Sequence, residues 1–233
     1  MKDIYVFGDS HWRIFFPFVN HGSPGVAVEL NCGIRINDMV ANELSGATMY
    51  GLLNENSKNG ARKRILNDLD KLGPVEYVAL VFGEVDVRYH NHHYFNDSAF
   101  IFGNGIDLLL RYIKFIKEDL LLSGRVTKKV IIFNKFFYPQ KEKTLLQPGI
   151  EIGKVALDRA IILQKFIENN ISMVISACDS ASCDLKDKVA LIDCKNINES
   201  HVSNDGVHFD PEKTFLHILP ELMSIVYDKN KSR

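Results

Sequence analysis

The sequence has few of the features that mark secreted, membrane-spanning or zinc-binding proteins. Its cysteines show no CxxC spacing and predict reduced thiols rather than zinc ligands or disulfides: Cys32, Cys178, Cys183 and Cys194. No apolar run approaches the roughly 18 residues that a membrane-spanning helix requires. Only six residues separate Met1 from Gly8, and an aspartate interrupts them. This start is too short for a signal peptide and predicts a cytoplasmic protein.

The sequence also has no large excess of positive or negative charge. The chain has 28 basic and 29 acidic side chains and a formal net charge of −1. That balance excludes a general electrostatic surface for nucleic acid or for an anionic membrane. With 233 residues, of which 46% are hydrophobic, the chain is long enough for one core that buries about 70% of the unfolded surface. No metal or disulfide is therefore needed to stabilise it.

Short apolar runs alternate with longer amphipathic ones along the chain. Runs rich in Val, Ile, Phe and Tyr predict strands at residues 3–7, 47–50, 76–82, 129–134, 172–175 and 189–193. Apolar residues three and four positions apart predict helices at residues 60–72, 106–122, 151–169 and 211–227. Asp210 and Pro211 resemble an N-cap and a first-turn proline. The alternation predicts one α/β domain over residues 1–233, a doubly wound and mostly parallel sheet with helices on both faces.

Three long irregular stretches, at residues 85–104, 136–149 and 193–207, each follow a predicted strand. In an open parallel sheet, ligands bind outside the carboxyl ends of the strands, near the point where the strand order reverses. We therefore expect these stretches to lie along the same edge of the sheet.

The first motif that carries chemistry is Gly8-Asp9-Ser10-His11, directly after the first predicted strand. A serine at a tight strand-to-helix turn has an exposed oxygen, and its own N–H can face a developing oxyanion. Gly8 permits an unusual backbone conformation, and Asp9 can hydrogen-bond back to the loop. Taken alone, the motif is also compatible with an ordinary turn.

The second motif is Asn204-Asp205-Gly206-Val207-His208, in the loop before the last predicted helix. A serine hydroxyl is a poor nucleophile until an imidazole accepts its proton, and that imidazole needs a carboxylate to orient it. Asp205 and His208 can supply both groups from one short segment. A turn-forming aspartate and a buried histidine are the alternative interpretation.

Together the two motifs resemble those of the SGNH, or GDSL-type, hydrolase family. That family has its serine in a GDS motif after the first strand and its Asp and His as D-x-x-H near the C-terminus. The resemblance covers nearly the whole chain and implies a flavodoxin-like doubly wound fold. It also implies a catalytic triad of Ser10, Asp205 and His208.

The resemblance further implies an oxyanion hole in which the backbone N–H of Ser10 has two partners. One is the N–H of a glycine after the second strand, for which Gly51 is our candidate and Gly46 and Gly60 are alternatives. The other is the Asn side chain of a G-x-N-D block after the third strand. The sequence here reads Gly83-Glu84-Val85-Asp86, so Val85 stands where the family has asparagine.

A valine cannot donate a hydrogen bond, and the loss of one oxyanion donor typically costs about 3 kcal/mol in the transition state. Three explanations remain open. The site uses only the N–H groups of Ser10 and Gly51, another donor such as Arg88, Asn91 or a nearby histidine replaces the asparagine, or the chain has kept the fold and lost catalysis.

The loop after the third predicted strand supplies candidates for substrate contact. With the residue before the serine, those predicted to bind substrate are Asp9, Arg88, His90 and Asn91. A buried ion pair of Arg88 with Glu84 or Asp86 that only shapes the loop is the alternative. Neighbouring His92 and His93 would point opposite ways in an extended segment, so we predict no metal site. The G-E-x-D-x-R wording resembles a branch of SGNH-like proteins found among bacterial surface-glycan genes.

These residues predict a serine esterase that removes a small acyl group, with acetyl as the expected one, through a covalent acyl-Ser10 intermediate. The resemblance implies that the substrate is a carbohydrate or a related hydroxyl ester, and no cofactor is expected. An O-acyltransferase with the same intermediate and a glycan-binding domain with a decayed site are the alternatives. The sequence leaves the acyl group, the alcohol and the oligomeric state open.

Overall fold

The fold is built on a six-stranded sheet. The computed structural model describes residues 1–9, 14–16, 26–39, 44, 47–54, 57–83, 85–87, 98–134, 145–147, 150–151, 154–194, 197, 199–201 and 209–227. The strands of the sheet are β1 (Lys2–Gly8), β2 (Ala27–Glu29), β3 (Ile34–Asp38), β4 (Val75–Val81), β5 (Val126–Phe133) and β8 (Val189–Ile192). Their order is β2-β3-β1-β4-β5-β8, and all neighbours are parallel except β2 and β3. A separate antiparallel pair consists of β6 (Leu145–Gln147) and β7 (Ile150–Glu151).

Helices connect the parallel strands. They are α1 (Ala61–Leu72), α2 (Ser98–Phe115), which continues as a π-helical stretch at Ile116–Leu122, α3 (Lys154–Ala177), α4 (Leu185–Lys188) and α5 (Pro211–Tyr227). Short 3₁₀ helices occupy Tyr50–Leu53 and Glu199–His201. None of the helices in the described part of the chain is long and apolar enough to cross a membrane.

The central strands are buried on both faces, as their continuous apolar sequences predict. In β4, Val78 and Leu80 pack in a core cluster with side chains of α1, α2 and α3, while Tyr77, Ala79 and Val81 pack in a second cluster with α5. Alternate side chains of one strand therefore supply two separate cores. This arrangement confirms the predicted doubly wound sheet with helices on both faces.

Four of the six predicted strands are confirmed, with ends that shift by no more than three residues, and each predicted helix is found. The strand predicted at residues 47–50 is wrong, because this stretch is a turn that leads into the 3₁₀ helix. The strand predicted at 172–175 is also wrong, because these residues belong to α3. There Val174 and Ile175 are buried while Met173 is 55% exposed, so the apolar run is the end of a helix that packs by one face.

The second parallel strand is instead β3, which the sequence analysis did not identify. Its side chains alternate between buried and half-buried positions. The half-buried side chains of Arg35 and Asn37 both donate hydrogen bonds to Asp3 on neighbouring β1. A strand with polar side chains on one face has no continuous apolar run that would predict it. Its neighbour β2 is only three residues long and is equally hard to predict from the sequence.

A close contact between α2 and α3 gives a testable prediction. A Cβ atom on Gly105 would lie 2.7 Å from Cδ1 of Phe166 and 3.2 Å from Cδ1 of Leu163. Gly105→Ala should therefore lower the free energy of unfolding by about 1–3 kcal/mol through overpacking, even though alanine favours helix by about 1 kcal/mol over glycine. Urea unfolding measures the change.

The same contact supplies a matched control. Phe166→Leu in the Gly105→Ala background removes ring atoms from the contact and should recover part of the lost stability. A Gly105→Ala protein that is more stable than the wild type would show that helix propensity outweighs the crowding.

Candidate functional site

The residue before the predicted nucleophile lies where the order of the strands reverses. The chain passes from β1 to β3 on one side and then crosses back to β4 on the other. The N–H of Asp9 donates to the carbonyl of Val81 over 2.9 Å, which extends the pairing of β1 and β4 beyond Gly8. This is the carboxyl edge at which an open α/β sheet binds ligands. Ser10 itself lies outside the described residues.

The orientation of α5 places the neighbours of the second motif at the same edge. The hydroxyl of Tyr77, near the amino end of β4, donates to the carbonyl of Val226 over 3.3 Å. The hydroxyl of Tyr227 donates to the carbonyl of Cys32, just before β3, over 2.8 Å. Since α5 ends at the amino edge of the sheet, it begins toward the carboxyl edge.

The start of α5 is defined by the predicted cap. The N–H of Lys213 donates to Oδ1 of Asp210 over 3.1 Å, which confirms Asp210 as the N-cap. The N–H of Asp210 donates to the carbonyl of His201, so the described residues on either side of segment 202–208 are joined. Asp205 and His208 belong to this segment and lie outside the described residues. Their contact with Ser10 stays a prediction, although the neighbours of both motifs lie at one edge.

The loop after β4 contains a buried carboxyl group. Gly83 has a φ of 124°, a backbone conformation that residues other than glycine rarely adopt. This conformation lets the chain change direction after the strand. Val85 is half-buried, whereas Asp86 is only 3% exposed. Its Oδ2 accepts the N–H of Met49 over 2.7 Å, and its Oδ1 accepts the N–H of Tyr50 over 3.2 Å. Asp86 therefore joins this loop to the turn before the 3₁₀ helix.

Burial raises the pKa of Asp86 to about 7. The two backbone N–H groups oppose the rise, and the charge of the nearby Asp9 carboxylate adds to it. Burial likewise raises the pKa of the Tyr112 phenol, on α2, well above its ordinary value, with both carboxylates contributing. Two acidic side chains and a phenol are thus enclosed beneath the carboxyl edge, an arrangement that is common at functional sites.

The buried Asp86 carboxyl predicts that the protein loses stability as the pH rises. Its pKa increases from 3.8 to about 7 on folding, so the folded protein keeps a proton that the unfolded chain loses between these values. The stabilisation is complete below about pH 4 and is lost as the pH rises through 7. The free energy of unfolding of the wild type should fall relative to Asp86→Asn by on the order of 3 kcal/mol between pH 4 and pH 8.

Urea unfolding of both proteins across this pH range provides the measurement. Asp86→Asn removes the ionisation of this side chain and one of its two acceptor oxygens. Because the lost acceptor changes the stability by an amount that does not depend on pH, the titration of all other groups still cancels in the difference. Parallel stability curves for the two proteins would contradict the prediction.

Two predicted site residues have surroundings that change their interpretation. Asp9 is 0% exposed, so its carboxyl is closed to a substrate here, which favours the loop-holding role over the predicted substrate contact. Gly51 does not follow a strand but lies in the 3₁₀ helix, and its N–H donates to Oγ1 of Thr48 over 2.8 Å. The N–H of Gly51 can donate to an oxyanion only if its hydrogen bond to the Thr48 hydroxyl breaks.

The other predicted residues are distributed differently. Gly60, an alternative to Gly51, directly precedes α1 and donates its N–H to the carbonyl of Ser57 over 3.1 Å. Outside the described residues lie Gly46, Glu84, Arg88, His90, Asn91, His92 and His93. Among the described residues, no group of three or more His, Cys, Asp or Glu side chains is arranged to hold a metal ion.

A polar groove of about 410 Å³ adjoins Gly51. The following turn, one face of α1 and the residue before β5 line it: Asn54, Ser57, Gly60, Arg62, Lys63, Leu66, Asn67, Asp70 and Arg125. Arg62 pairs with Asp119 through two hydrogen bonds of 3.0 and 2.9 Å, and Arg125 pairs with Asp70 through two of 2.7 and 3.1 Å. The groove therefore offers both donors and acceptors.

A buried amide that the sequence analysis did not assign joins two other loops at the carboxyl edge. Asn134, directly after β5, donates from Nδ2 to Oδ1 of Asp193 over 3.0 Å, and its Oδ1 accepts the N–H of Cys194 over 2.9 Å. Gln164 on α3 donates to the carbonyl of Asn134 over 3.2 Å. A polar residue directly after an apolar strand was the available signal.

Comparisons with known proteins identify the fold. No protein-family model matches the chain, and no curated protein matches it. The inhibitor-bound aryl esterase of M. smegmatis superposes with a TM-score of 0.57 at 15% identity over 97% of this chain and 100% of that one. A carbohydrate acetylesterase from Sinorhizobium meliloti superposes with a TM-score of 0.53 at 13% identity over the same shares. The likeness confirms the predicted flavodoxin-like, doubly wound fold.

Proposed function

We propose that the chain is a serine esterase of the SGNH type that removes a small acyl group, such as acetyl, from a hydroxyl. The main support is the location of the described residues beside Ser10 and His208. The residue before Ser10 and the residues after His208 lie at the same edge of the sheet, where the strand order reverses. Solved structures with this fold include aryl and carbohydrate acetylesterases, which agrees with an ester substrate.

In the proposed reaction, His208 takes the proton from Oγ of Ser10 as that oxygen attacks the ester carbonyl. Asp205 holds the imidazole in the required tautomer. The backbone N–H of Ser10 stabilises the negative oxygen of the tetrahedral intermediate, with Gly51 as candidate second donor. The carbon–oxygen bond of the ester breaks, and His208 gives its proton to the departing alcohol. A water molecule activated by His208 then hydrolyses the acyl-Ser10 ester and restores the serine.

A carbohydrate is the proposed source of the alcohol. The polar groove beside Gly51 supports it, because side chains that both donate and accept hydrogen bonds suit a ligand rich in hydroxyl groups. The carbohydrate acetylesterase with the same fold also supports it. Arg88, His90 and Asn91 remain the proposed contacts from the loop after β4.

The test is covalent labelling with a fluorophosphonate probe, followed by intact-mass analysis. The wild type should gain one probe adduct, and both Ser10→Ala and His208→Ala should gain none, because the probe reacts only with an activated serine. Ser123→Ala is the matched control, since Ser123 caps the end of α2 through its bond to the carbonyl of Asp119. A folded wild type without an adduct would contradict an activated serine.

A second candidate is a glycan-binding domain without catalysis, which the half-buried Val85 in place of asparagine favours. It predicts retention of the protein on an acetylated glycan together with no probe adduct. An O-acyltransferase would form the same adduct as an esterase. Adding a sugar acceptor to the ester assay distinguishes these two, because a transferase gives acylated sugar at the expense of free acid.

A further inference from the structure

Asp86 connects parts of the molecule that are far apart in sequence. Its carboxylate, at the loop after β4, accepts both N–H groups of the peptide units at Met49 and Tyr50. The next N–H, that of Gly51, is held by Thr48. Three successive N–H groups of this turn are thus fixed by side-chain oxygens, and two of them by one carboxyl group.

The choice of a carboxylate here is costly. A neutral side-chain oxygen could accept an N–H without burying a charge, whereas a carboxylate next to another carboxylate pays for desolvation and for repulsion. The acidic groups that face Asp86 in the described structure are Asp9, at the end of β1, and Tyr112, on α2. Departures of this kind from the favourable arrangement are expected where function requires a fixed geometry.

We infer that Asp86 is a positioning residue, which holds the Met49–Gly51 turn at a fixed place relative to β1, the strand that precedes Ser10 in the sequence. Met49 packs in one core cluster with Phe7 of β1. This inference rests on the proposed function. Donors to an oxyanion must be held within about 0.5 Å of their working positions to be effective. A carboxylate that takes two successive N–H groups fixes both the distance and the orientation of the turn.

The experiment compares Asp86→Asn and Asp86→Ala with Asp179→Asn as the matched control. Asp179 also accepts a backbone N–H, that of Leu185, but lies between α3 and α4, outside the polar groove. Asp86→Asn has nearly the shape of the native side chain and keeps one acceptor for the two N–H groups. It is the variant to use if Asp86→Ala does not fold, as judged by circular dichroism.

Hydrogen–deuterium exchange provides a measurement that does not depend on catalysis. Peptides that cover residues 47–53 should exchange at least about 10 times faster in Asp86→Asn than in the wild type, because an N–H group without its partner is open to solvent exchange. Asp179→Asn should leave this exchange unchanged. Unchanged exchange in both Asp86 variants would overturn the inference, whatever the enzyme does.

Ester kinetics complete the test. In Asp86→Asn, kcat should fall by about 10-fold or more while KM changes by less than about threefold, since a displaced turn impairs the transition state and leaves substrate binding intact. Asp179→Asn should retain the wild-type kcat. Faster exchange with an unchanged kcat would reduce Asp86 to a structural role and overturn the inference. A wild type without Ser10-dependent labelling would contradict the proposed function instead, while the exchange result still stands.

Discussion

Ser10→Ala is expected to lower kcat/KM for a small ester by at least about 10⁴-fold, the largest effect of any substitution we consider. The alanine lacks the oxygen that forms the acyl-enzyme, so only binding and oxyanion stabilisation remain. His208→Ala should cause a loss of similar size, because the serine hydroxyl then has no base to accept its proton. Hydrolysis of an acetyl ester followed at a fixed pH provides the measurement.

The double variant Ser10→Ala/His208→Ala distinguishes a triad from two independent contributions. Groups that act as one unit are not additive, so the double variant should be about as active as either single variant. His217→Ala is the control for the loss of an imidazole, since His217 lies on α5 and packs edge-on against His201, with ring centroids 5.6 Å apart. Losses that multiply in the double variant would contradict the triad.

The extent to which the sequence predicts the fold depends on how each element is covered. Strands β4 and β5 are buried on both faces, and their continuous apolar runs were sufficient to predict them. In β3, polar side chains at alternate positions interact with Asp3, so the strand lacks that signal. At the end of α3 the error was the reverse, since a short apolar run predicted a strand that the structure does not have. Four residues are too few to distinguish the period of a helix from a buried strand.

The candidate site is likewise only partly predictable from the sequence. Parallel topology brings the residues that follow the strands to one edge of the sheet. The location of Asp9, before Ser10, could therefore be predicted from its place in the sequence. The partners of Asp86 could not be predicted. They are backbone N–H groups 37 and 36 residues earlier in the chain. Because every residue except proline has such a group, the side chains at these positions do not indicate the contact. A buried carboxyl between two loops is a tertiary feature without a sequence period.

Val85→Asn is expected to raise kcat by about 10- to 100-fold. It places a side-chain N–H at the position where the G-x-N-D block of SGNH hydrolases, which this chain resembles, has its oxyanion donor. Removal of such a donor from a preorganised site costs about 10²–10³ in kcat. The gain here should be smaller, since the new side chain lacks neighbours selected to hold it. Val85 is half-buried and directly precedes Asp86, whose two hydrogen bonds fix the loop on which the new amide would stand.

Val85→Asp is the matched control, because its carboxylate has nearly the same shape as the amide and accepts hydrogen bonds without donating them. A carboxylate beside a developing oxyanion should lower kcat below that of the wild type. The two variants should therefore move kcat in opposite directions, with Ser10→Ala in each background abolishing the activity. If Val85→Asn and Val85→Asp were equally active, a different group would be supplying the donor. Arg88 and Asn91, on the same loop, would then be the residues to replace.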